Sequence, residues 1–349
     1  MQHINANGAK IPALGFGTFE LEPAEAESMV AHALEVGYRH IDTAQMYKNE
    51  EAVGRGLKQS GVAREDIFLT TNVWTDRFAD GDLQASVRES LEKLDTDYVD
   101  LLLLHWPNPD ISLKETLGAL NDVREQGLAR NIGISNFTTR LIDEAAAQTG
   151  APLATNQVEY HPYISQQPVL DKLAEHDMAL TAYCPLAQGR VFKEPTLERI
   201  GKAHGKNGGQ VALRWLIQHD DVIAIPRSSN KAHIANNFEI FEFRADRRGN
   251  ARDLGAACQR WAHHQPIVRP RLGQRRLITA ASTSWSRAPG RGSFLSATYP
   301  IYLDPASIRV LAMAMATRSV VSPCALACAN TSSSVLSIEA TRKRTRSAL

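Results

Sequence analysis

Residues 37–59 read GYRHIDTAQMYKNEEAVGRGLKQ, and they hold one complete repeat of the fold. Residues 39–43 read as a short buried strand, and 50–59 as an amphipathic helix. The strand–helix rhythm continues outward in both directions. Upstream, a strand at 14–18 precedes a helix at 23–36, with Pro23 at its start and Gly37 beyond its end. Downstream, strands at 67–73, 98–105, 129–135, 154–159, 179–184 and 222–226 alternate with helices at 83–94, 113–126, 139–148, 168–175, 210–218 and near 231–237. The fourth strand holds VDLLLL, the apolar run expected of a parallel strand covered on both faces.

Eight such units in about 240 residues predict an α/β protein, a closed (β/α)8 TIM barrel. An open doubly wound sheet is the alternative. Against it, Gly15-Phe16-Gly17 is followed by Thr-Phe-Glu and not by the G-x-G-x-x-G turn of a dinucleotide-binding open sheet. Asn7-Gly8 between Ile4 and Ile11 predicts an N-terminal β-hairpin, capping the barrel end away from the site.

The rhythm stops at Arg244. Residues 244–349 carry 17 Lys and Arg against 4 Asp and Glu, while 1–243 carry 22 against 34. The net charge of +1 for the whole chain hides this contrast. Two segments are therefore expected: a barrel over 1–243 and an arginine-rich, poorly ordered tail without recognisable fold over 244–349. The tail's composition is what a shifted reading frame near codon 244 would produce. A basic arm for nucleic acid or anionic lipid is the competing reading. Cys324 and Cys328 have no second pair to complete a zinc site, and no metal is expected.

Only Cys184 lies in the body, so no disulfide framework is expected there and a reducing, cytoplasmic compartment fits. The opening MQHINANGAKIPALG lacks a basic region followed by an apolar run, so no signal peptide is expected. The apolar run near 308–330 is broken by Arg318, so no membrane span is expected. The acidic body offers no attraction for nucleic acid, and a monomer is expected.

In a barrel of this kind, function collects at the C-terminal ends of the strands. Those ends carry Asp42-Thr43, Asn72, His105-Trp106, Ser135-Asn136, Gln157, Tyr183 and Arg227-Ser228. A lone polar residue at a strand end is more often a cap than a catalyst. A ring of them is what a ligand site needs.

These residues carry a resemblance. GYRHIDTAQMYKNEEAVGRGL (37–57), LLLLHWP (101–107), IGISNF (132–137), NQVEYHP (156–162) and IPRSSN (225–230) resemble the aldo-keto reductases in order and spacing. The likeness is nearest to short-looped bacterial 2,5-diketo-D-gluconate and methylglyoxal reductases. It covers about 243 residues.

The resemblance implies reduction of small carbonyls by hydride from NADPH, with NADH accepted. It implies Tyr47 as proton donor and His105 as the group orienting the carbonyl. It also implies a lysine, paired with Asp42, that lowers the tyrosine pKa. Asn72 stands at the lysine position. Asparagine can donate to Tyr47 or Asp42 but carries no charge, so the resemblance implies slowed turnover. The alternative is a cofactor-binding protein with little or no catalysis.

By the same resemblance, Ser135, Asn136 and Gln157 hold the nicotinamide carboxamide and Tyr183 stacks on the ring. Gly17, Thr18, Leu186 and Gln188 line the cofactor's path. Arg227 and Ser228 open a helix whose free N–H groups face the 2′-phosphate. His233 replaces an arginine found in many relatives, which weakens the preference for NADPH. Asn237 is the matching adenine contact. Phe19, Trp74 and Trp106 are expected to wall the substrate pocket.

Overall fold

A computed structural model describes residues 1–243 of the 349. The expected tail over 244–349, with its apolar run and three cysteines, lies outside the described residues. The hairpin forms as expected from β1 (His3–Ala6) and β2 (Ala9–Pro12), with Ala6 paired to Ala9. Asn7 and Gly8 both have positive φ, 47° and 87°, as a two-residue hairpin turn demands. Asn7 Nδ2 donates to the carbonyls of Leu153 and His176, and Gln2 Nε2 to that of Ile217. These acceptors precede or begin barrel strands, so the hairpin closes the N-terminal end.

The barrel strands are β3 (Phe16–Gly17), β4 (His40–Asp42), β5 (Phe68–Val73), β6 (Val99–Leu104), β7 (Ala129–Ser135), β8 (Leu153–Glu159), β9 (Ala179–Tyr183) and β10 (Val222–Ala224). They pair in parallel and in sequence order. Three bonds join the last strand to the first: Gly15 N to Ala224 O, Ala224 N to Ala13 O, and Gly17 N to Pro226 O. The sheet is therefore a closed barrel. Leu101 to Leu104 are all at most 1% exposed, which explains why β6 shows no polar alternation.

Helices α1 (Pro23–Val36), α2 (Glu50–Gln59), α3 (Asp82–Leu94), α4 (Leu113–Glu125), α5 (Thr139–Gln148) and α6 (Gln167–Ala174) follow the first six strands. Gly54 and Gly56 let α2 press between its neighbours. A Cβ on Gly54 would stand 2.7 Å from Leu94 O, and one on Gly56 2.7 Å from Glu27 O. Gly54 and Gly56 of the quoted stretch are thus packing residues.

The longer connection after β9 holds more structure than expected. A 3-10 segment (Ala187–Lys193) leads into helix α7 (Pro195–Ala203), before α8 (Gly208–Ile217) and α9 (Lys231–Phe238). α7 buries only Leu197, Ile200 and Gly201, and glycines follow it, so its pattern is too sparse to read. It packs with Val191, Val211 and Tyr163 in a satellite cluster beside the main core. α8 starts at Gly208, two residues earlier than its pattern suggests. Asn207 accepts from Gln210 N, and Gln210 Oε1 accepts from Asn207 N, a reciprocal cap that tolerates two glycines in the first turn. Among the described residues, no helix is long and apolar enough to cross a membrane.

Candidate active site

A cavity of about 1030 Å³ opens at the C-terminal end of the barrel. It gathers Gly17, Thr18, Phe19, Asp42, Tyr47, His105, Trp106, Ser135, Asn136, Gln157, Tyr183, Leu186, Gln188, Arg227, Ser228, His233 and Asn237. Of the residues named from the sequence, Thr43, Asn72 and Trp74 do not line it. Asn72 lies beneath, fully buried, and Trp74 stands edge-on to the His105 ring at 5.2 Å.

Tyr47 sits on a 3-10 turn (Gln45–Tyr47) after β4, half-buried. Two side chains that sequence reasoning missed pin this turn. Gln45 Nε2 donates to Ser86 O and Ser90 Oγ, while its Oε1 accepts from Trp74 N. Asn49 Nδ2 donates to the carbonyls of Thr18 and Leu21, and its Oδ1 accepts from Thr43 Oγ1. The signal was present as polar residues on both sides of Tyr47. The tyrosine ring meets His105 edge-on at 5.7 Å and Phe19 at 5.1 Å. Among the described residues its hydroxyl has no hydrogen-bond partner. Burial first, then the Asp42 charge, holds its pKa well above the ordinary 10.

Asp42, 1% exposed at the end of β4, accepts a 2.8 Å hydrogen bond from Gln157 Nε2. Burial pushes its carboxyl up to about 7 from an ordinary 3.8, against the downward pull of that bond. Asn72 does not meet the expectation of a bond to Asp42 or Tyr47. Its Nδ2 donates to Thr43 O at 2.8 Å, and its Oδ1 is buried with no partner among the described residues. A carbonyl can only accept, so the amide orientation is set and the orphaned oxygen follows from it. His105, 7% exposed, is pushed down to about 4 by burial and is neutral at pH 7, with Nδ1 also unpartnered.

After β7, Asn136 takes a left-handed backbone, φ 63°, which asparagine tolerates better than most residues. Its Nδ2 donates to His105 O and Ser135 Oγ, and its Oδ1 accepts from the Tyr183 hydroxyl at 3.0 Å. Ser135, Asn136 and Tyr183 are therefore one rigid unit. Cys184 was not anticipated in the cavity. Burial first, then Glu159 and Glu20, pushes its thiol up to about 11, so it is not a reactive thiolate.

At the far end, Arg227 donates to the main-chain carbonyls of Phe19 and Glu20 at 3.0 and 2.9 Å. The expected helix start there needs correction. α9 begins at Lys231, and the Asn230 side chain caps it by accepting from Ala232 N and His233 N. Those two N–H groups are already satisfied and are not free for an anion. The Ser-Ser-Asn run hid which residue was the cap. His233 is exposed beside Asn237 on the cavity wall.

The Aldo/keto reductase family profile matches residues 13–252. The chain belongs to that family. A Salmonella typhi protein named methylglyoxal reductase DkgB is 43% identical over 230 residues, covering 65% of this chain and 86% of the relative. An aldo-keto reductase of Mycobacterium avium is 42% identical over 67% of this chain and 82% of its own length. The crystal structure of a putative 2,5-diketo-D-gluconic acid reductase B has a TM-score of 0.73 and 49% identity, covering 76% of this chain and 93% of that one. A Bombyx mori aldo-keto reductase in complex with NADP has a TM-score of 0.69 and 34% identity, covering 76% and 94%. The aldo-keto reductase described here is thus an oxidoreductase by family.

The titrations predict a measurable pH signature. Asp42's folded pKa lies above its unfolded one, so its contribution to stability is full below about 4 and is lost as pH rises through 7. The loss is on the order of 4 kcal/mol. His40 and His105, both pushed down to about 4, slope the other way and destabilise as pH falls from 6.5. The two trends overlap, so a difference isolates the carboxyl. Relative to wild type, Asp42→Asn should gain about 5–10 °C in Tm between pH 4 and pH 8. A pH-independent difference would contradict the raised Asp42.

Proposed function

We propose that the chain reduces aldehydes and ketones, small dicarbonyls and keto sugars among them, to alcohols with NADPH as hydride donor. The observation that carries this is the meeting of Tyr47 and His105, 5.7 Å apart ring to ring, in one cavity with the Ser135–Asn136–Tyr183 unit. The residues fit a nicotinamide dinucleotide. Side-chain amides gather at the barrel end, a flat aromatic ring is held rigidly beside them, and Arg227 and His233 lie at the other end. Bound there, the reduced nicotinamide supplies hydride.

The rest of the chemistry falls to the chain's own side chains. The growing charge on the carbonyl oxygen needs a proton and a preorganised donor. Tyr47 Oη, without a competing partner among the described residues, gives the proton. Neutral His105 offers one ring N–H to the same oxygen. Phe19 and Trp106, 44% and 37% exposed, are apolar walls for the substrate. Trp74 acts only through His105, as a packing surface behind the imidazole. With His233 in place of a permanent cation, the preference for NADPH over NADH is weakened.

A second reading, a cofactor-binding protein with little turnover, draws on Asn72 Oδ1 and Asp42, which among the described residues have no partner and no cation respectively. NADPH oxidation on methylglyoxal and a panel of aldehydes, with fluorescence titration of both cofactors, tests the two. NADPH binding with slow but protein-dependent turnover is expected. Binding without turnover selects the second reading, and the absence of both rejects both. Equal or tighter NADH binding would count against the phosphate site.

A further inference from the structure

We propose that Gln157 is a positioning residue for Asp42 in this chain, standing in for the missing cation, and that this role withdraws its amide from the cofactor. The inference rests on the proposed nicotinamide site, which assigns the same amide to the carboxamide.

Asp42 ends β4 and Gln157 lies on β8, four strands away in a closed barrel of eight. Their 2.8 Å bond therefore spans the barrel from one wall to the other. A glutamine side chain makes that reach only by lying across the barrel mouth. Among the described residues, no other side chain hydrogen-bonds the Asp42 carboxyl, since Thr18 Oγ1 donates to the Asp42 main-chain carbonyl. Asn72 does not relieve it: among the described residues its Nδ2 donates to Thr43 O and not to the carboxyl, and its Oδ1 is an acceptor. A buried carboxyl without a donor carries a desolvation cost that one charge-assisted bond partly offsets. Gln157 is held by that demand.

The demand and the cofactor compete for one amide. Ser135 and Asn136 do not share the conflict. Asn136 is fully engaged with His105 O, Ser135 Oγ and Tyr183, and Ser135 Oγ donates to the Gln157 main-chain carbonyl at 2.9 Å. Gln157 is thus the adjustable member of the amide cluster. Its availability depends on what stands at position 72. A lysine there supplies Asp42 with a donor and a charge, which releases Gln157.

The test is a double-mutant cycle on NADPH affinity, read by tryptophan fluorescence, with wild type, Asn72→Lys, Gln157→Leu and the double variant. Asn72→Lys should tighten NADPH about tenfold where Gln157 is present, and less than about threefold where it is leucine. No gain, or the same gain in both backgrounds, overturns the proposal. Failure of the cofactor site itself looks different, because then no variant binds NADPH. In that case, or if Asn72→Lys does not fold, a cofactor-free Tm cycle of Asp42→Asn and Gln157→Leu decides. Losses in the double variant clearly smaller than the sum of the singles support the Asp42–Gln157 coupling, and additive losses overturn it.

Discussion

Asn72→Lys should raise kcat for methylglyoxal by ~10²–10³-fold, or about 3–4 kcal/mol of barrier. On the proposed mechanism the rate depends on how easily Tyr47 releases its proton. Two causes oppose that release, burial first and the Asp42 charge second. A buried ammonium beside both groups counters each of them: it favours tyrosinate directly and neutralises the aspartate. Asn72 supplies neither effect. Its side chain is already next to the Asp42–Thr43 segment, 2.8 Å from Thr43 O, so a longer cationic side chain from the same position reaches the carboxyl. Removing the orphaned Oδ1 is a separate gain, in stability, of about 1–3 kcal/mol. The gain in rate should appear in kcat more than in KM, because the cation acts on proton release and does not touch the substrate.

Tyr47→Phe should lower kcat by ~10²–10⁴-fold while changing NADPH affinity less than about twofold. The phenylalanine keeps the ring that packs on Phe19 and His105. It removes a hydroxyl with no partner among the described residues, so no buried group loses a hydrogen bond. Unchanged folding, judged by Tm within about 2 °C, separates a chemical loss from a structural one. Retention of the full rate would move the proton donation to another group, with the His105 ring, 5.7 Å away, the first to test.

Much of this was legible in the amino-acid sequence, for physical reasons. Strand ends in a parallel barrel converge at one mouth, so Asp42, His105, Ser135 and Gln157 could be grouped before any contact was known. Hydrogen-bond partners were not legible, because they depend on which side chains cross the barrel. Gln157 reaching Asp42, and Asn72 turning to Thr43 O, are both of this kind. The support of Tyr47 by Gln45 and Asn49 was hidden for the same reason, since their partners lie on α3 and after β3. At α9 the run Ser228-Ser229-Asn230 offered three capping residues, and only packing chooses Asn230. α7 went unread because a helix of nine residues with one narrow apolar stripe, followed by glycines, has little periodicity to show.

On the proposed mechanism, a site short of one charge makes a single kinetic demand. Single-turnover oxidation of bound NADPH by methylglyoxal, with protium or deuterium at the transferred position, measures hydride transfer apart from product release. Wild type should transfer slowly with a clear isotope effect, and Asn72→Lys should transfer at least about tenfold faster. Equal rates in the two proteins would contradict the account, because the cation missing at position 72 would then not govern the chemistry.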